Sequence, residues 1–215
     1  MILQNLEIKV LKPNDEKLKQ ISTEVTDFGN PIYQEMLDRI KDICLEKKAY
    51  GSAAPQFGIL KRFILMITVE EMKIDNAKEL ETMEIKSTVV PYFNPKITTM
   101  RGKQYFYESC MSVDNSTGKV ARPYYVEIEA QDINGNFFNK VAEGFEAIVL
   151  CHEIDHLDGI EYTEKAEEIY DVDTDGRIAI RKKYPHEIIS RDGDFIQDNI
   201  TDQVRTLVYK KRHND

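Results

Sequence analysis

The chain has 215 residues, a formal net charge of −9 and a hydrophobic fraction of 41%. This length and apolar content suit one domain with a substantial core, and they exclude a wholly disordered chain. The acidic balance also argues against a general nucleic-acid surface, because phosphate binding needs clustered Lys and Arg.

The cysteines and the hydropathy pattern indicate where the protein works. The chain has three cysteines, Cys44, Cys110 and Cys151, and no two of them form a C-x-x-C pair. This odd number and spacing argue against a disulfide framework and favour a reducing compartment. No stretch reaches about 18 apolar residues, and the start lacks a signal-peptide pattern. We therefore expect no membrane span, a location in the cytoplasm or an organelle, and a monomer, since no long apolar surface pattern calls for a partner.

The first half of the chain predicts a helix and then a loop of small residues. Asn30 and Pro31 are typical of an N-cap and a first helical residue, and an apolar stripe at helical spacing runs to about Lys48. Residues 49–58 are mostly small, so their backbone can approach a substrate closely. Gln56 in this loop has a carboxamide that can donate a hydrogen bond.

Strands are predicted on both sides of the middle of the chain. The apolar run over residues 63–69 has the length of a buried strand, and residues 104–107 form a short aromatic strand. Cys110 follows among small polar residues, where it would be exposed enough to form a thiolate, a strong zinc or iron ligand. Residues 124–131 alternate between apolar and more polar side chains, and an Asn-Gly turn follows them. This pattern predicts a half-exposed β-hairpin.

The hairpin leads into the pattern H-E-x-x-H. If residues 142 to about 156 are helical, His152 and His156 lie on one face and can bind one divalent metal, with Glu153 beside it as a base. Phe145, Ile148 and Val149 share the same helical stripe. The sequence therefore predicts a metal-activated water.

The residues alone leave the third metal ligand open. The extended pattern H-E-x-x-H-x-x-G-x-x-H has Tyr162 in its last place here, which excludes that class of protease. Cys110 has independent local support as a ligand. The alternative ligands are downstream carboxylates, which are Glu161, Glu164, Glu167 and Glu168.

The sequence beyond Gly159 is highly charged. Residues 171–176 resemble the opening of a calcium-binding EF-hand loop, but Lys182 holds the twelfth place and opposes calcium, so we predict a polar turn. Near the end, Thr201 is predicted to cap a short helix in which Val204, Leu207 and Val208 share a face.

Three stretches together resemble the signature motifs of peptide deformylases, in the family's order. They are Gly-Ser-Ala-Ala-Pro-Gln at 51–56, Glu-Ser-Cys-Met-Ser at 108–112, and the segment 151–159 around the two histidines. The resemblance covers about residues 5–166. It implies an α+β fold with mainly antiparallel sheets around a central metal-binding helix, a catalytic domain over 1–166 and a charged C-terminal extension over 167–215.

The resemblance also implies a chemistry. Cys110, His152 and His156 would hold one divalent ion, Fe²⁺ as expected for the family, with zinc, nickel or cobalt in exchange. Glu153 would act as the base, while the Gln56 carboxamide and the Met111 backbone N–H would stabilise an oxyanion. The substrate would be an N-formyl-methionyl peptide of a nascent chain, including chains on the ribosome, and formate would be released. The expected substrate-binding residues are Tyr50, Gly51, Ser109, Phe145, Ile148 and Val149.

The chain departs from the family pattern beside the expected cleft. The family usually has glycine at the positions of Ala49 and Ser109, and aliphatic residues at those of Tyr50 and Ser52, so we expect an altered substrate preference. Two alternatives stay open, a different H-E-x-x-H zinc peptidase completed by a carboxylate, and a non-catalytic binding protein of deformylase type.

A further pairing concerns the two motif residues Asp155 and Arg122. Asp155 faces away from the metal on the expected helix, and we hypothesise that it pairs with Arg122.

Overall fold

A computed structural model describes residues 8–69, 87–113, 115–196 and 206–208. Its helices are α1 (Pro31–Lys47), α2 (Gly144–Leu157), α3 (Tyr162–Lys165) and α4 (Thr174–Lys183). Its strands are β1 (Gly51–Ala53), β2 (Phe63–Val69), β3 (Ser87–Glu108), β4 (Ser116–Arg122), β5 (Tyr125–Gln131), β6 (Phe137–Glu143), β7 (Ala166–Asp171), β8 (Glu187–Asp194) and β9 (Thr206–Val208).

These strands form one connected sheet in the described part of the chain, and β3 lies at its centre. This 22-residue strand pairs antiparallel with β2, β4, β5 and β8, while β5 continues into β6 as a hairpin. Only the pairing of β7 with β9 is parallel among the described strands. The predicted α+β class with a mainly antiparallel sheet is therefore confirmed.

Helix α2 packs against the sheet and is buried on nearly all sides. The sequence predicted an apolar stripe through Ile148 and Val149, but residues beyond that stripe are buried as well, and Cys151 lies in the same hydrophobic core as Leu150 and Ile154. Burial all round is typical of a helix at the centre of a domain rather than at its surface. The two metal-ligand candidates on α2 are therefore held by a helix that has little freedom to move.

Helix α1 confirms the capping signals in its sequence. The Asn30 side chain accepts a hydrogen bond from the Ile32 N–H at 3.1 Å, and Pro31 is the first helical residue. Its apolar face packs into a second core with Phe57 and Phe63, and Cys44 is buried there. This helix positions the small-residue loop that follows it.

The C-terminal part differs from the sequence prediction in two places. Where a polar turn was predicted, Asp173 caps α4 by accepting a hydrogen bond from the Gly176 N–H at 3.0 Å. Where a final helix was predicted, residues 206–208 form strand β9, because pairing with β7 outweighs the local helical spacing. The capping residue proposed for that helix, Thr201, lies outside the described residues.

No helix in the described residues is long and apolar enough to cross a membrane.

Candidate metal centre

Three potential metal ligands converge where the end of β3 meets α2. The Sγ of Cys110 and one ring nitrogen each of His152 and His156 all lie within 4.8 Å of one another, and all three residues are buried. The Cys110 Sγ is 3.2 Å from the His156 Nε2. The structure thus brings together the three residues that the motifs singled out.

The cluster is supported by buried charges that fix the orientation of His152. The Glu108 carboxylate lies 2.8 Å from the His152 Nδ1, so the other ring nitrogen faces the cluster. Glu108 also accepts two hydrogen bonds from Arg122, at 2.7 and 2.9 Å. Arg122 in turn donates to Asp155 at 2.5 Å, which confirms the hypothesised pair, and Lys165 donates to the other Asp155 oxygen.

Sequence reasoning did not assign a role to Glu108. Its place as the first residue of the cysteine motif was visible, but a carboxylate in a strand gives no sign that it will be buried. With Arg122 and Lys165 opposite Glu108 and Asp155, the network is balanced in charge, as burial requires.

Cys110 is buried, with 6% of its surface exposed, whereas the sequence suggested an exposed thiolate. Burial alone would raise the pKa of this thiol, but the His156 and His152 imidazoles more than offset it and hold the pKa well below its ordinary value. Burial lowers the imidazole pKa values in turn, and the thiolate reverses that shift. The thiolate therefore arises from its partners, not from exposure to water.

Glu153 stands beside the cluster as the motif predicted. Burial raises its carboxyl pKa to about 7, and its Oε2 has no hydrogen-bond partner among the described residues. Gly51 permits this position, since a Cβ there would lie 2.9 Å from Val149 and 3.0 Å from Glu153. A buried carboxylate oxygen without a hydrogen-bond partner calls for an explanation, and a catalytic role for Glu153 is one.

Gln56 is held at both ends of its carboxamide. Its Oε1 accepts a hydrogen bond from the Ala53 N–H at 2.8 Å, and its Nε2 donates to the Cys110 Sγ at 3.1 Å. The Nε2 is also 3.3 Å from the His156 Nε2. The amide donor thus points into the cluster, whereas a loop glutamine on the surface would point to solvent.

A cleft of about 290 Å³ opens onto the cluster. Its lining includes Met111 and all six residues expected to bind substrate, which are Tyr50, Gly51, Ser109, Phe145, Ile148 and Val149. Tyr50 packs edge-on against Phe145, with ring centroids 5.0 Å apart. The cleft is therefore largely apolar near the cluster and open to solvent at Tyr50, which is 56% exposed.

Helix α4 also lines this cleft, and the sequence gave no sign of it. Arg181 donates a hydrogen bond to the Tyr107 carbonyl at 2.9 Å and one to the Ser109 Oγ at 3.3 Å. The hydroxyl that replaces the family's usual glycine thus contacts the C-terminal segment. The contact joins residues 72 apart in the chain, a distance over which local patterns carry no information.

The carboxylates considered as alternative ligands are engaged elsewhere. Lys19 forms ion pairs with Glu161 at 2.7 Å and with Glu164 at 2.6 Å. Glu167 accepts from the Tyr105 hydroxyl, and Glu168 from that of Tyr170. Among the described residues, the cluster therefore offers one thiolate and two imidazoles.

This donor set fits a divalent metal ion. Sulfur and imidazole nitrogen bind zinc or ferrous iron at about 2.0 to 2.3 Å, so three such ligands in a tetrahedral arrangement lie within about 4 Å of one another. The His152–Glu108 contact is the support that metal-binding histidines usually have. The buried Glu153 oxygen, which has no partner among the described residues, would be available to accept a proton from a water that such an ion supplied.

A buried Cys-His-His cluster and a buried glutamate at the foot of a cleft define the site of a metal-dependent hydrolase. The family model described as polypeptide deformylase matches residues 8–171. The chain belongs to this family, whose members remove the formyl group from formyl-methionyl peptides.

Individual relatives agree with the family assignment. The peptide deformylase of Caldicellulosiruptor bescii is 37% identical over 157 residues, which cover 73% of this chain and 84% of that protein. The crystal structure of a probable peptide deformylase from Synechococcus phage S-SSM7 is similar, with a TM-score of 0.65 and 31% identity over 74% of this chain and 99% of that one.

A third similar structure is a class I type b peptide deformylase from Acinetobacter baumannii with Met-Ala-Ser bound. It has a TM-score of 0.61 and 28% identity, over 74% of this chain and 97% of that one. These likenesses favour deformylation over the two alternatives, a different H-E-x-x-H peptidase and a non-catalytic binding protein.

Proposed function

We propose that this chain deformylates nascent formyl-methionyl peptides with Cys110, His152 and His156 as ligands of one divalent ion. The observation that carries the proposal is the convergence of these three ligands beside Glu153, whose Oε2 is buried and unpartnered in the described residues. The expected ion is Fe²⁺, with zinc, nickel or cobalt as substitutes, because thiolate and imidazole donors suit all four. Such an ion supplies a water of lowered pKa and polarises the formyl oxygen.

Glu153 is the proton carrier of the proposed reaction. As the carboxylate it accepts the proton of the attacking water, and it then delivers that proton to the leaving amine, which releases formate and the free peptide. Its pKa of about 7 suits both steps near neutral pH, because the group can accept and release a proton at little cost.

The developing oxyanion needs donors that are in place before the reaction. We assign this role to the Gln56 carboxamide, whose Nε2 already points into the cluster, and to the Met111 backbone N–H. The methionine side chain would pack on Phe145, Ile148 and Val149, which supply an apolar wall beside the cluster. Met-Ala-Ser in the Acinetobacter baumannii structure is the peptide product that such a reaction leaves.

The wider setting of the enzyme is also part of the proposal. We place it in the cytoplasm as a monomer acting on nascent chains at the ribosome, and the three free, buried cysteines are consistent with a reducing compartment. We also propose a catalytic domain over residues 1–166 and an extension over 167–215. In support, all the proposed catalytic residues precede 166 and the family match ends at 171.

Formate release provides the test. Anaerobically purified protein loaded with Fe²⁺ should release formate from formyl-Met-Ala-Ser, while a Glu153→Ala variant with the same metal content should fall by about 10²- to 10⁴-fold. Equal rates for the two proteins would contradict the role of Glu153. No formate from the metal-loaded wild type would contradict the proposed function itself.

A further inference from the structure

The cleft carries a positive charge that the proposed reaction does not use. Four cationic side chains line it, Lys47 and Lys48 at the end of α1 and Arg177 and Arg181 on α4. The carboxylates in the same lining are Glu108, which pairs with Arg122, and the proposed base Glu153. Although the protein as a whole has a net charge of −9, four of its cationic side chains therefore line the cleft of the proposed reaction site.

The two arginines have no anionic partner within the described residues. Arg181 donates to a carbonyl and a hydroxyl, and its guanidinium lies 5.1 Å from the Phe106 ring centroid. The Arg177 Nε is buried without any hydrogen-bond partner there. Burial, and then the nearby charge of Arg177, lower the pKa of Arg181. The positive charges of Arg177 and Arg181 therefore lie one helical turn apart, and no carboxylate of the described residues pairs with either.

In a second cleft, carboxylates neutralise three of the four cationic side chains in the lining, and the fourth is Lys96. That cleft, of about 500 Å³, is lined by Arg62, Arg122 and Lys165 among others. Arg62 pairs with Asp158 at 2.6 Å, and the other two pair with Asp155. By contrast, the cations of the reaction cleft have been left available for a ligand.

We propose that these cations make the enzyme selective for formyl-methionyl chains with Asp or Glu in the residues that follow the methionine. The inference rests on the proposed function, because the cleft that holds the formyl group is the one the cations line. Guanidinium groups bind carboxylates through paired hydrogen bonds, and a partly buried guanidinium has already lost much of its hydration. Peptide side chains just beyond the methionine would come within reach of α4.

Matched peptides test this preference. The substrates are C-terminally amidated formyl-Met-Ala-Glu-Ala and formyl-Met-Glu-Ala-Ala, each compared with the peptide that has Gln in place of Glu. Amidation leaves the side chain as the only source of negative charge. We expect the ratio of kcat/KM, acid over amide, to be about tenfold for at least one pair and to fall as salt is added.

Variants on α4 locate the source of the preference. Arg177→Gln and Arg181→Gln should each reduce the acid-over-amide ratio several-fold. Lys182→Gln is the matched control, because Lys182 is exposed on the same helix outside the cleft lining, and it should leave the ratio unchanged. Since the readout is a ratio, a general loss of activity in a variant does not affect it.

The outcomes separate this inference from the proposed function. Formate released equally from acid and amide peptides would overturn the inference and leave deformylation standing, and so would an equal fall of the ratio in all three variants. No formate from any peptide would overturn deformylation, yet tighter binding of the acid peptides by calorimetry would still support the inference. An RNA oligonucleotide that binds through Arg177 and Arg181, without any acid preference, would overturn it.

Discussion

Gln56 shows how one side chain can be shared between the fold and the site. Its oxygen satisfies the Ala53 N–H, while its nitrogen reaches the Cys110 sulfur. The loop therefore cannot move without withdrawing the amide donor from the cluster. A single buried carboxamide couples the loop of small residues to the proposed metal centre.

Replacing this carboxamide should therefore reduce catalysis more than metal binding. We expect Gln56→Leu to lower kcat by about 10²- to 10³-fold, because one oxyanion donor is lost. Metal content, measured by atomic absorption, should stay near that of the wild type. Ser52→Ala, in the same loop, is the control and should change kcat little; a similar fall there would point to disruption of the loop.

A cysteine in the metal cluster and a cysteine in the hydrophobic core should behave differently when replaced. Cys110→Ser should lose most of its bound metal, because a serine hydroxyl does not ionise at neutral pH as this thiolate does. Cys151→Ala should keep its metal, since burial raises the pKa of Cys151 to about 12 and its side chain lies outside the cluster. Full metal content in Cys110→Ser would refute the proposed ligand set.

Sequence reasoning was most successful for residues whose chemistry follows from their spacing. His152, Glu153 and His156 could be placed on one helix because four residues make about one turn. The pairing of Arg122 with Asp155 was also anticipated, from their places in the motifs. Glu108 was missed because its role depends on burial between strand and helix, which no local pattern encodes.

At the scale of elements, the junction of β3 with α2 is held by buried charges. Glu108 ends β3 and contacts both Arg122 on β4 and His152 on α2. Burial would raise the pKa of Glu108, but Arg122 and His152 hold it at about 2. The stabilisation is therefore fully present above the ordinary value of 4.5 and is lost as the pH falls through about 2.

Removing this charge should change both the stability and its dependence on pH. Glu108→Gln should cost about 3 to 5 kcal/mol at pH 7, because Arg122 is left as a buried charge without its main partner. Urea unfolding at pH 7, 5 and 3 should show a smaller loss of stability toward acid than in the wild type. Glu129→Gln, at an exposed position on β5, should match the wild type within about 0.5 kcal/mol.

Elements defined by local periodicity were predicted well, and elements that depend on distant partners were not. Helix α1, helix α2 and the β5–β6 hairpin have caps, stripes or turns within their own sequence. Within the 22-residue span of β3 the sequence predicted a short strand at residues 104–107 and not one continuous strand, because the continuity of β3 depends on four partner strands. Strand β9 was predicted as part of a helix for the same reason.

At the scale of the whole molecule, a bound ion should stabilise the fold by linkage. The ligands come from two elements that are far apart in the chain, so the unfolded protein binds the ion weakly. At a free metal concentration 100 times the Kd, the gain is about 2.7 kcal/mol. The C-terminal segment closes over the same region through Arg181, so it should benefit from the same stabilisation.

Chelation provides the measurement of this linkage. We expect the Tm from scanning calorimetry to fall when the wild-type protein is treated with a chelator and to recover on adding Zn²⁺ or Fe²⁺. Cys110→Ser should have a Tm that responds to neither treatment. A wild-type Tm that is insensitive to the chelator would show that the ion contributes nothing to the folded state.

The separation of Cys110 and His156 along the chain determines when the metal centre can form during folding. Cys110 follows the end of this strand and meets His156 across 46 residues, a segment that includes β4, β5, β6 and most of α2. Closing such a loop costs chain entropy before any distant contact compensates for it. The strands between Cys110 and His156 must therefore be in place before the three ligands can bind a cation together. The cation then stabilises the folded chain and does not nucleate its folding.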